Sequence, residues 1–228
     1  MRTDRPDDKV ELDLPFDFAE NPNWRIFRIM GEFVGGFEFL APLRKEVTFF
    51  GSARLPETSP WYKEAQKLGT LLAKDGFTVI TGGGPGIMEA GNRGAYDGDG
   101  ESVGLDIELP MEQRRNAYVK RAMGFHYFFT RKVMMSASAQ AYLFFPGGFG
   151  TLDEFFEIIT LIQTEKMEHV PAVCVSKEFW QPGLDWIRQT MLEKYETVSA
   201  EDLELYHLVD TAEEAFDIIK TSKERKYF

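Results

Sequence analysis

The segment between Ala141 and Glu154 joins an apolar run to a glycine-rich turn and then to a helical pattern, AYLFFPGGFGTLDE. Ala141–Phe145 predicts a buried strand, and the helix is predicted to open at Thr151 and Leu152. A strand that feeds a helix through such a turn leaves backbone N–H groups free at the helix start, where the helix dipole also favours negative charge. The segment therefore predicts a phosphate-binding site, with the Glu154 carboxylate one turn into the helix.

A second junction of the same kind lies earlier in the chain, where Phe77–Thr81 predicts a strand and the sequence continues as GGGPGIMEA. Pro85 is expected inside the first helical turn, where its missing N–H leaves no partner unsatisfied. Further strands alternate with helices, which predicts an α/β fold of the Rossmann-like, doubly wound type: a mostly parallel sheet with helices on both faces. If the strands before the two glycine turns are neighbours, both turns flank one crevice. The pattern also assigns a short strand to Phe125–Phe129.

The composition of the chain divides it near residue 45. Residues 1–45 comprise an acidic, proline-punctuated arm and a predicted extension helix over 22–40, and residues 46–228 are predicted to form one Rossmann-like domain. The helix carries two apolar stripes, Trp24, Phe27, Met30, Val34 and Phe37 on one face and Ile26, Ile29 and Phe33 on another. Two stripes exceed what one core contact needs, so the helix either touches a partner subunit or is buried within its own domain.

Charge and cysteine content argue against several kinds of partner and site. The formal net charge is −11 and the sequence pI is about 4.9, which disfavours nucleic acid or an acidic membrane as the main partner. Cys174 is the only cysteine, so no intrachain disulfide can form. Because there is neither a signal-peptide pattern nor an apolar run of about 20 residues, we expect a cytoplasmic protein. His126, His169 and His207 lie far apart in sequence, so no metal site is expected.

Between Arg114 and Leu152 the chain has 39 residues without Asp or Glu, although about six acids would be expected at their overall frequency. The same stretch contains six bases: Arg114, Arg115, Lys120, Arg121, Arg131 and Lys132. In an acidic protein this basic island favours an anionic ligand held locally. The alternative is that much of the stretch is core strand, which explains the missing acids but not the added bases.

Neither glycine turn matches the common nucleotide-binding or serine-hydrolase motifs. The turn at residues 82–86 fails the G-x-G-x-x-G spacing because Glu89 stands at the last position, and this turn follows the second strand rather than the first. The lysine of a Walker A loop is absent from both turns, and the chain has no G-x-S-x-G. Dinucleotide-dependent redox chemistry, NTP hydrolysis and serine hydrolysis are therefore not favoured.

The combined motifs nevertheless resemble those of one known family. Pro146-Gly147-Gly148-x-Gly150-Thr151-x-x-Glu154, with Arg131-Lys132 upstream and GGGPGIME at 82–89, resembles the signature of the Lonely Guy (LOG) family. Its members are cytokinin riboside 5′-monophosphate phosphoribohydrolases, often mislabelled as lysine decarboxylases. The resemblance runs from Val47 to the C-terminus, and the extension helix is similar to that of longer bacterial members.

The resemblance implies an enzyme that hydrolyses the N-glycosidic bond of purine nucleoside 5′-monophosphates to free base and ribose 5-phosphate. The substrate would be AMP, an N6-modified cytokinin precursor, or both. No cofactor is implied, and the pyridoxal phosphate that a lysine decarboxylase needs has no obvious Schiff-base lysine here. The implied assembly is a homodimer or a larger closed oligomer with active sites near the subunit interface.

The resemblance also assigns roles to residues of this chain. Glu154 and Arg131 match the family's catalytic glutamate and arginine. The substrate and its phosphate would be held by a larger set: Gly147, Gly148, Gly150, Thr151, Lys132, Gly83, Gly84, Ser52, Glu112 and Thr160. A carboxylate beside the ribose suits the reaction, because breaking the glycosidic bond builds positive charge on the sugar.

Simpler structural explanations exist for these residues. Thr151 and Glu154 stand in capping-box spacing, so the glutamate could satisfy a backbone N–H and take no part in chemistry. Arg131 could be a salt-bridge partner on a helix face, although its neighbourhood in sequence is free of acids. The alternative to an enzyme is a binding protein that holds a nucleotide or nucleotide-like cofactor as a sensor or carrier, for which Glu154 would be dispensable.

Overall fold

The structure, a computed structural model, describes residues 22–108, 115–137 and 139–225. Their strands are β1 (Glu46–Phe50), β2 (Thr78–Thr81), β3 (Ser102–Ile107), β4 (Arg121–Phe125), β5 (Ala141–Phe144), β6 (Ala172–Val175) and β7 (His207–Val209). Their α-helices are α1 (Pro22–Leu40), α2 (Pro60–Lys74), α3 (Ile87–Asp97), α4 (Phe128–Ala137), α5 (Phe149–Gln163), α6 (Lys177–Trp186) and α7 (Ala212–Ile219). α6 continues as a π-helical segment, Ile187–Lys194, and a short 3-10 turn, Glu201–Glu204, precedes β7.

The seven strands form one parallel sheet in the order β4-β3-β2-β1-β5-β6-β7. From β1 the chain winds outward through β2, β3 and β4, then returns to the other side of β1 as β5 and continues to β6 and β7. The predicted Rossmann-like, doubly wound fold is confirmed. The change of direction between β1 and β5 is a topological switch point, which is where sheets of this kind bind ligands.

The central strands are buried on both faces, as parallel strands covered by helices must be. Alternate residues of β1 enter two separate cores: Phe49 stacks on Phe145 with ring centroids 5.8 Å apart, and Phe50 stacks on Phe144 at 5.3 Å. The Phe50 core lies under α1, α4, α5 and α6, and the Phe49 core lies under α2, α3 and α7. The helices that carry the predicted catalytic residues therefore share one face of the sheet.

Some local assignments from the sequence are wrong. Phe125–Phe129 is not a strand: β4 ends at Phe125, and the α4 helix begins at Phe128. Pro85 lies outside α3, because Gly86 is the N-cap residue with a positive φ of 70° and the helix starts after it. The α5 helix begins two residues before the predicted Thr151, at Phe149.

The strands before the two glycine turns are not neighbours, because β1 lies between β2 and β5. The turn after β1 nevertheless connects the two glycine turns. The Ser52 amide donates to the Pro146 carbonyl at 3.0 Å, and the Ser52 carbonyl accepts from the Ile87 amide at 3.0 Å. A Cβ atom on Gly86 would lie 2.3 Å from that Ser52 carbonyl oxygen, so the close approach requires glycine there. Three turns thus meet at one edge of the sheet.

The predicted extension helix forms as α1, with the same bounds. Phe33 and Phe37 pack on the core, whereas Trp24, Ile26, Phe27, Met30 and Val34 are exposed. The helix is therefore only partly buried in its own chain. No helix among the described residues is long and apolar enough to cross a membrane.

Candidate active site

A cavity of about 1050 Å³ opens at the carboxyl ends of β1, β2 and β5. Its walls are the turn after β1 (residues 51–55), Gly82 after β2, the glycine turn and first residues of α5 (146–151), and side chains of α4. The cavity coincides with the switch point of the sheet, where loops diverge and leave a crevice. It is therefore the candidate site.

The N-terminus of α5 opens into this cavity. Gly148 is the N-cap residue and has no side chain to accept from the helix amides. The amides of Thr151 and Leu152 turn back to the Gly148 carbonyl at 3.0 and 3.1 Å, and Gly148, Phe149 and Gly150 are exposed. Because the first amides of a helix have no partner within it and carry the positive end of the dipole, this helix start can hold an anion.

Close packing within the turn explains why position 147 is a glycine and why the Thr151 side chain is buried. A Cβ atom on Gly147 would lie 2.1 Å from Thr151 Oγ1, so only glycine fits beneath that side chain. Thr151 is 5% exposed and is the third residue of α5, not its N-cap. The capping box considered above is therefore not formed. Glu154, three residues further along α5, is too far from the cap to serve as its carboxylate.

Glu154 is a buried carboxyl in the cavity wall. Its side chain is 14% exposed, and its Oε2 atom has no hydrogen-bond partner within the described ranges, although Lys132 Nζ lies 3.5 Å away. Burial raises the pKa of Glu154 from 4.5 to about 7, an effect that Lys132 and Arg131 oppose and Glu157 reinforces. A carboxyl with a pKa near neutrality can both give and take a proton, which is the property that acid–base catalysis requires.

Lys132 faces three carboxylates of α5. Its Nζ atom lies 2.8 Å from Asp153 and 3.5 Å from Glu154, and it also contacts Glu157. Burial lowers the pKa of Lys132, but these carboxylates outweigh it and raise the pKa above its ordinary value. Lys132 therefore stays protonated and ties α4 to α5 at the cavity wall.

Arg131 lies in the cavity wall against the backbone of β2 and β3. Its Nε donates to the Leu105 carbonyl at 2.7 Å, and a Cβ atom on Gly82 would lie 2.2 Å from its Nη2. Burial lowers the pKa of Arg131, whereas Glu154 and Asp106 raise it, and the guanidinium remains charged because its ordinary value is so high. Both Nη groups lack a hydrogen bond to any described residue, so they are available to oxygens of a ligand.

Most of the predicted site residues meet in this cavity. Its lining includes Glu154, Arg131, Lys132, Ser52, Gly147, Gly148, Gly150 and Thr151. Gly83 and Gly84 lie behind the wall, where Asn116 Nδ2 donates to their carbonyls at 3.1 and 3.0 Å. Thr160 is exposed further along α5 and donates to the Phe156 carbonyl at 2.6 Å. Glu112 lies outside the described residues.

Several residues of the site were not predicted from the sequence. In the turn after β2, Gly82 rather than Gly83 or Gly84 lines the cavity, and a local signal existed because Gly82 is the first residue after the strand. Aromatic side chains also line the cavity: Phe128, Phe129, Phe149 and Phe179. Asp106 stands behind Arg131 and favours its charge, yet it is 25 residues away in sequence, so no local pattern could link the two.

The basic island does not converge on the cavity as a whole. Of its five described bases only Arg131 and Lys132 line the cavity. The other three are engaged elsewhere: Arg115 with Asp106 at 2.5 Å, Lys120 with Asp99 at 3.8 Å, and Arg121 over the Phe39 ring at 5.2 Å. The excess of bases in the sequence therefore overstated the local positive charge.

The fold and the cavity define a class: a doubly wound α/β protein with an open helix N-terminus beside a buried carboxyl and an arginine. A family model described as "Possible lysine decarboxylase" matches residues 88–219, more than half of the chain. The chain belongs to this family, the LOG family that its motifs resemble.

Curated relatives carry one activity in their names. The chain is 26% identical over 160 residues to the cytokinin riboside 5′-monophosphate phosphoribohydrolase of Rhodococcoides fascians, covering 68% of this chain and 80% of the relative. It is 28% identical over 157 residues to the enzyme of that name, LOG, from Oryza sativa subsp. japonica, covering 67% of this chain and 63% of the rice protein. A probable rice enzyme, LOGL5, is 33% identical over 56% of this chain and 52% of its own length.

Solved structures share the fold. The X-ray structure of the structural-genomics target TM1055 aligns with a TM-score of 0.58 and 26% identity, covering 77% of this chain and 98% of that one. The molybdenum cofactor binding protein of Rippkaea orientalis aligns with a TM-score of 0.57 and 21% identity, over 77% and 94% of the two chains. The molybdenum cofactor carrier protein of Chlamydomonas reinhardtii aligns with a TM-score of 0.54 and 18% identity, over 78% and 96%.

Proposed function

We propose that the protein hydrolyses the N-glycosidic bond of purine nucleoside 5′-monophosphates, AMP or an N6-modified cytokinin precursor, to free base and ribose 5-phosphate. The observation that carries the proposal is the position of Glu154. This buried carboxyl stands in the second turn of α5, the helix whose open N-terminus can hold the 5′-phosphate. In a nucleoside 5′-monophosphate the ribose is only a few bonds from the phosphate. A nucleotide whose phosphate occupies that helix start therefore has its ribose close to the Glu154 carboxyl.

The reaction needs a carboxylate in this place. As the bond between C1′ of the ribose and the base nitrogen breaks, its electron pair leaves with the base and positive charge builds on the sugar. The Glu154 carboxylate stabilises that charge and takes a proton from the water that attacks C1′. The proton passes on to the departing base, so one water molecule is divided between the two products.

The two bases of α4 have different parts in this proposal. Arg131 binds phosphate or ribose oxygens through its Nη groups, which have no partner among the described residues. Lys132 contacts Glu154, Asp153 and Glu157 and so balances the charge of the carboxylates beside the substrate. The named activity of the curated relatives supports the same reaction.

A lysine decarboxylase is a poorer fit to the site, despite the description of the family model. Pyridoxal phosphate chemistry needs a lysine that loses its proton to form a Schiff base. Lys132 is the lysine that lines the cavity within the described ranges, and its carboxylate neighbours raise its pKa. It is therefore held in the protonated form, which does not add to an aldehyde.

The second candidate function is a sensor or carrier that binds a nucleotide or nucleotide-like cofactor without turnover. One observation favours it: the molybdenum cofactor binding and carrier proteins share the fold over more than three quarters of this chain. Such a protein would bind its ligand at the same anion site, the N-terminus of α5, and would have no need of a carboxyl with a raised pKa. Glu154 thus separates the two candidates.

Product analysis tests the proposal. Purified protein is incubated with AMP, GMP, CMP and N6-isopentenyl-AMP, and the bases and sugar phosphate are separated by chromatography. We expect equal amounts of purine base and ribose 5-phosphate from at least one purine nucleotide, and no cytosine from CMP. Saturable AMP binding without release of base from any of the four would reject the hydrolase and support the carrier.

A further inference from the structure

The carboxylate of Glu32, in the middle of α1, is buried against the start of α4. It accepts hydrogen bonds from the His126 amide at 2.9 Å, the Tyr127 amide at 3.4 Å and the Thr130 hydroxyl at 2.5 Å. Its side chain is 11% exposed. A carboxylate at a helix N-terminus is stabilising because it pairs with free amides and with the positive end of the dipole. Glu32 thus anchors the start of α4 from 94 residues away, through the two amides just before the helix and a hydroxyl in its first turn.

A second contact holds the same two helices together. Gly36 lies one turn after Glu32 on α1, and a Cβ atom there would be 2.4 Å from Met134 Sδ on α4. Met134 is fully buried. One charged contact at the start of α4 and one close-packed contact a turn and a half later fix both the position and the rotation of that helix.

The next residue after Thr130 is Arg131, so the Glu32 contacts end where the basic part of the cavity begins. The space for the guanidinium is narrow, because it bonds the Leu105 carbonyl at 2.7 Å and lies against Gly82. A small shift or rotation of α4 would break this hydrogen bond or push the guanidinium out of the cavity wall. The location of Arg131 therefore depends on how α4 is held.

The other charged groups near Glu32 do not replace this role. Arg28 Nε lies 3.9 Å from Glu32, too far for a hydrogen bond, and Arg28 Nη2 lies 3.5 Å from Glu108. His126 Nδ1 is also near Glu108, at 3.6 Å. The close partners of Glu32 are therefore the amides of His126 and Tyr127, just before α4, and the Thr130 hydroxyl within it.

We propose that Glu32 is a positioning residue of the active site: by anchoring the start of α4, its carboxylate holds the Arg131 guanidinium where the substrate reacts. The kinetic consequence rests on the proposed function, whereas the effect on Arg131 does not. The extension helix α1 thereby takes part in the site without touching the substrate.

Kinetics of Glu32→Gln test the proposal, with Glu38→Gln as the matched control because Glu38 is exposed on the same helix. We expect kcat/KM for AMP hydrolysis to fall about 10- to 100-fold in Glu32→Gln, per folded molecule, and to stay unchanged in the control. In an Arg131→Ala background the same substitution should cost at most about twofold, since the effect passes through that arginine. An equal loss in both backgrounds would overturn the proposal.

An NMR measurement gives a readout that does not need activity. The Arg131 Nε–H signal is assigned by its loss in Arg131→Lys, and its exchange with solvent is followed. We expect this signal to lose protection in Glu32→Gln but not in Glu38→Gln. If Glu32→Gln does not fold, Thr130→Val, which removes one of the three contacts with little change of shape, takes its place.

The outcomes separate the two proposals. If the wild type releases no base but the Arg131 signal loses protection in Glu32→Gln alone, the proposed function fails and the positioning role stands. If the wild type releases base, and Glu32→Gln keeps both full kcat/KM and a protected Arg131 signal, the positioning role is wrong and the proposed function stands.

Discussion

At the residue scale, the Glu154 carboxyl lies between two cations of α4 and two other carboxylates of its own helix. Burial raises its pKa most, Lys132 opposes the rise, and Glu157 adds to it. The ionised fraction at neutral pH is therefore sensitive to each neighbour. A site of this kind is expected to show its catalytic carboxyl directly in the pH dependence of its rate.

We expect kcat/KM for AMP hydrolysis to rise with pH through a midpoint near the raised pKa of Glu154, about 7, because the ionised carboxylate is the active form. Glu157→Gln should lower that midpoint, since it removes a neighbouring negative charge. Rates measured from about pH 5 to about pH 9 test both expectations. A midpoint near the ordinary value of 4.5 would show that the buried carboxyl is not the titrating group.

Stability should depend on the same carboxyl. Because the pKa of Glu154 is raised in the folded state, ionisation is less favourable there than in the unfolded chain, and this group destabilises the fold as pH rises from 4.5 to about 7. At about pH 8, Glu154→Gln should increase the free energy of unfolding by about 1–3 kcal/mol, and the gain should shrink toward about pH 5. Urea denaturation at several pH values measures it. A gain that does not vary with pH would contradict this explanation.

Gly82 limits the space for the Arg131 guanidinium. In Gly82→Ala the new Cβ would lie 2.2 Å from Nη2, the flexible end of a side chain, so the arginine should move while the fold survives. We expect kcat/KM to fall about 10- to 100-fold, with a nearly unchanged melting temperature. Gly31→Ala is the control, because nothing lies within 4 Å of its Cβ position. Full activity in Gly82→Ala would show that the position of Arg131 is not critical.

At the element scale, three helix starts differ in how they are capped. α7 has a complete capping box, in which Thr211 accepts from the Glu214 amide and Glu214 accepts from the Thr211 amide. At α4, Glu32 of a distant helix binds the two amides just before the helix, and α5 starts at Gly148 with no capping side chain of its own. The two closed starts stabilise the fold, and the open one faces the cavity.

Thr211→Ala should lower the free energy of unfolding by about 1 kcal/mol, because it removes the side-chain cap of α7. None of the described residues of α7 lines the cavity, so kcat/KM should not change. Thr211→Ser keeps the capping oxygen and should recover most of the loss. Denaturant unfolding and the AMP assay together measure both effects. A loss of activity without a loss of stability would be the contradictory result.

The extent to which sequence predicts these elements follows from the range of the interactions. The buried strands and the α7 capping box were predictable, because apolar runs and a Thr-x-x-Glu pattern act within a few residues. The start of α4 was not, since it is anchored by the distant Glu32, and Phe125–Phe129 was assigned to a strand instead. The same spacing was misleading at Thr151, where the glycine turn lets α5 start two residues earlier.

The residues of the site divide in the same way, into those that local motifs predict and those whose roles depend on long-range contacts. Topology placed Glu154, Arg131 and Lys132 in one cavity, as their motifs indicated. The family resemblance assigned Gly83 and Gly84 to binding, which stays a prediction; the structure places them behind the wall, where the distant Asn116 donates to their carbonyls. Long-range contacts of this kind carry no signal in a single sequence.

At the scale of the whole molecule, an acidic protein carries a cavity whose described lining includes three cations, Arg54, Arg131 and Lys132. At this edge of the sheet the positive end of the α5 dipole adds to their charge. The homodimer implied by the family resemblance stays a prediction, and sedimentation velocity would test it. The exposed apolar residues of α1 are the surface to vary if a dimer is found.

Single-turnover cleavage of AMP by wild type and Glu154→Gln tests the central claim most directly, with calorimetry to measure AMP binding by each. We predict that both proteins bind AMP with similar affinity, and that the wild type releases adenine at least about 100-fold faster than the variant. Equal rates of adenine release would contradict a catalytic Glu154. Tight binding of AMP by the wild type without any release would contradict the hydrolase itself.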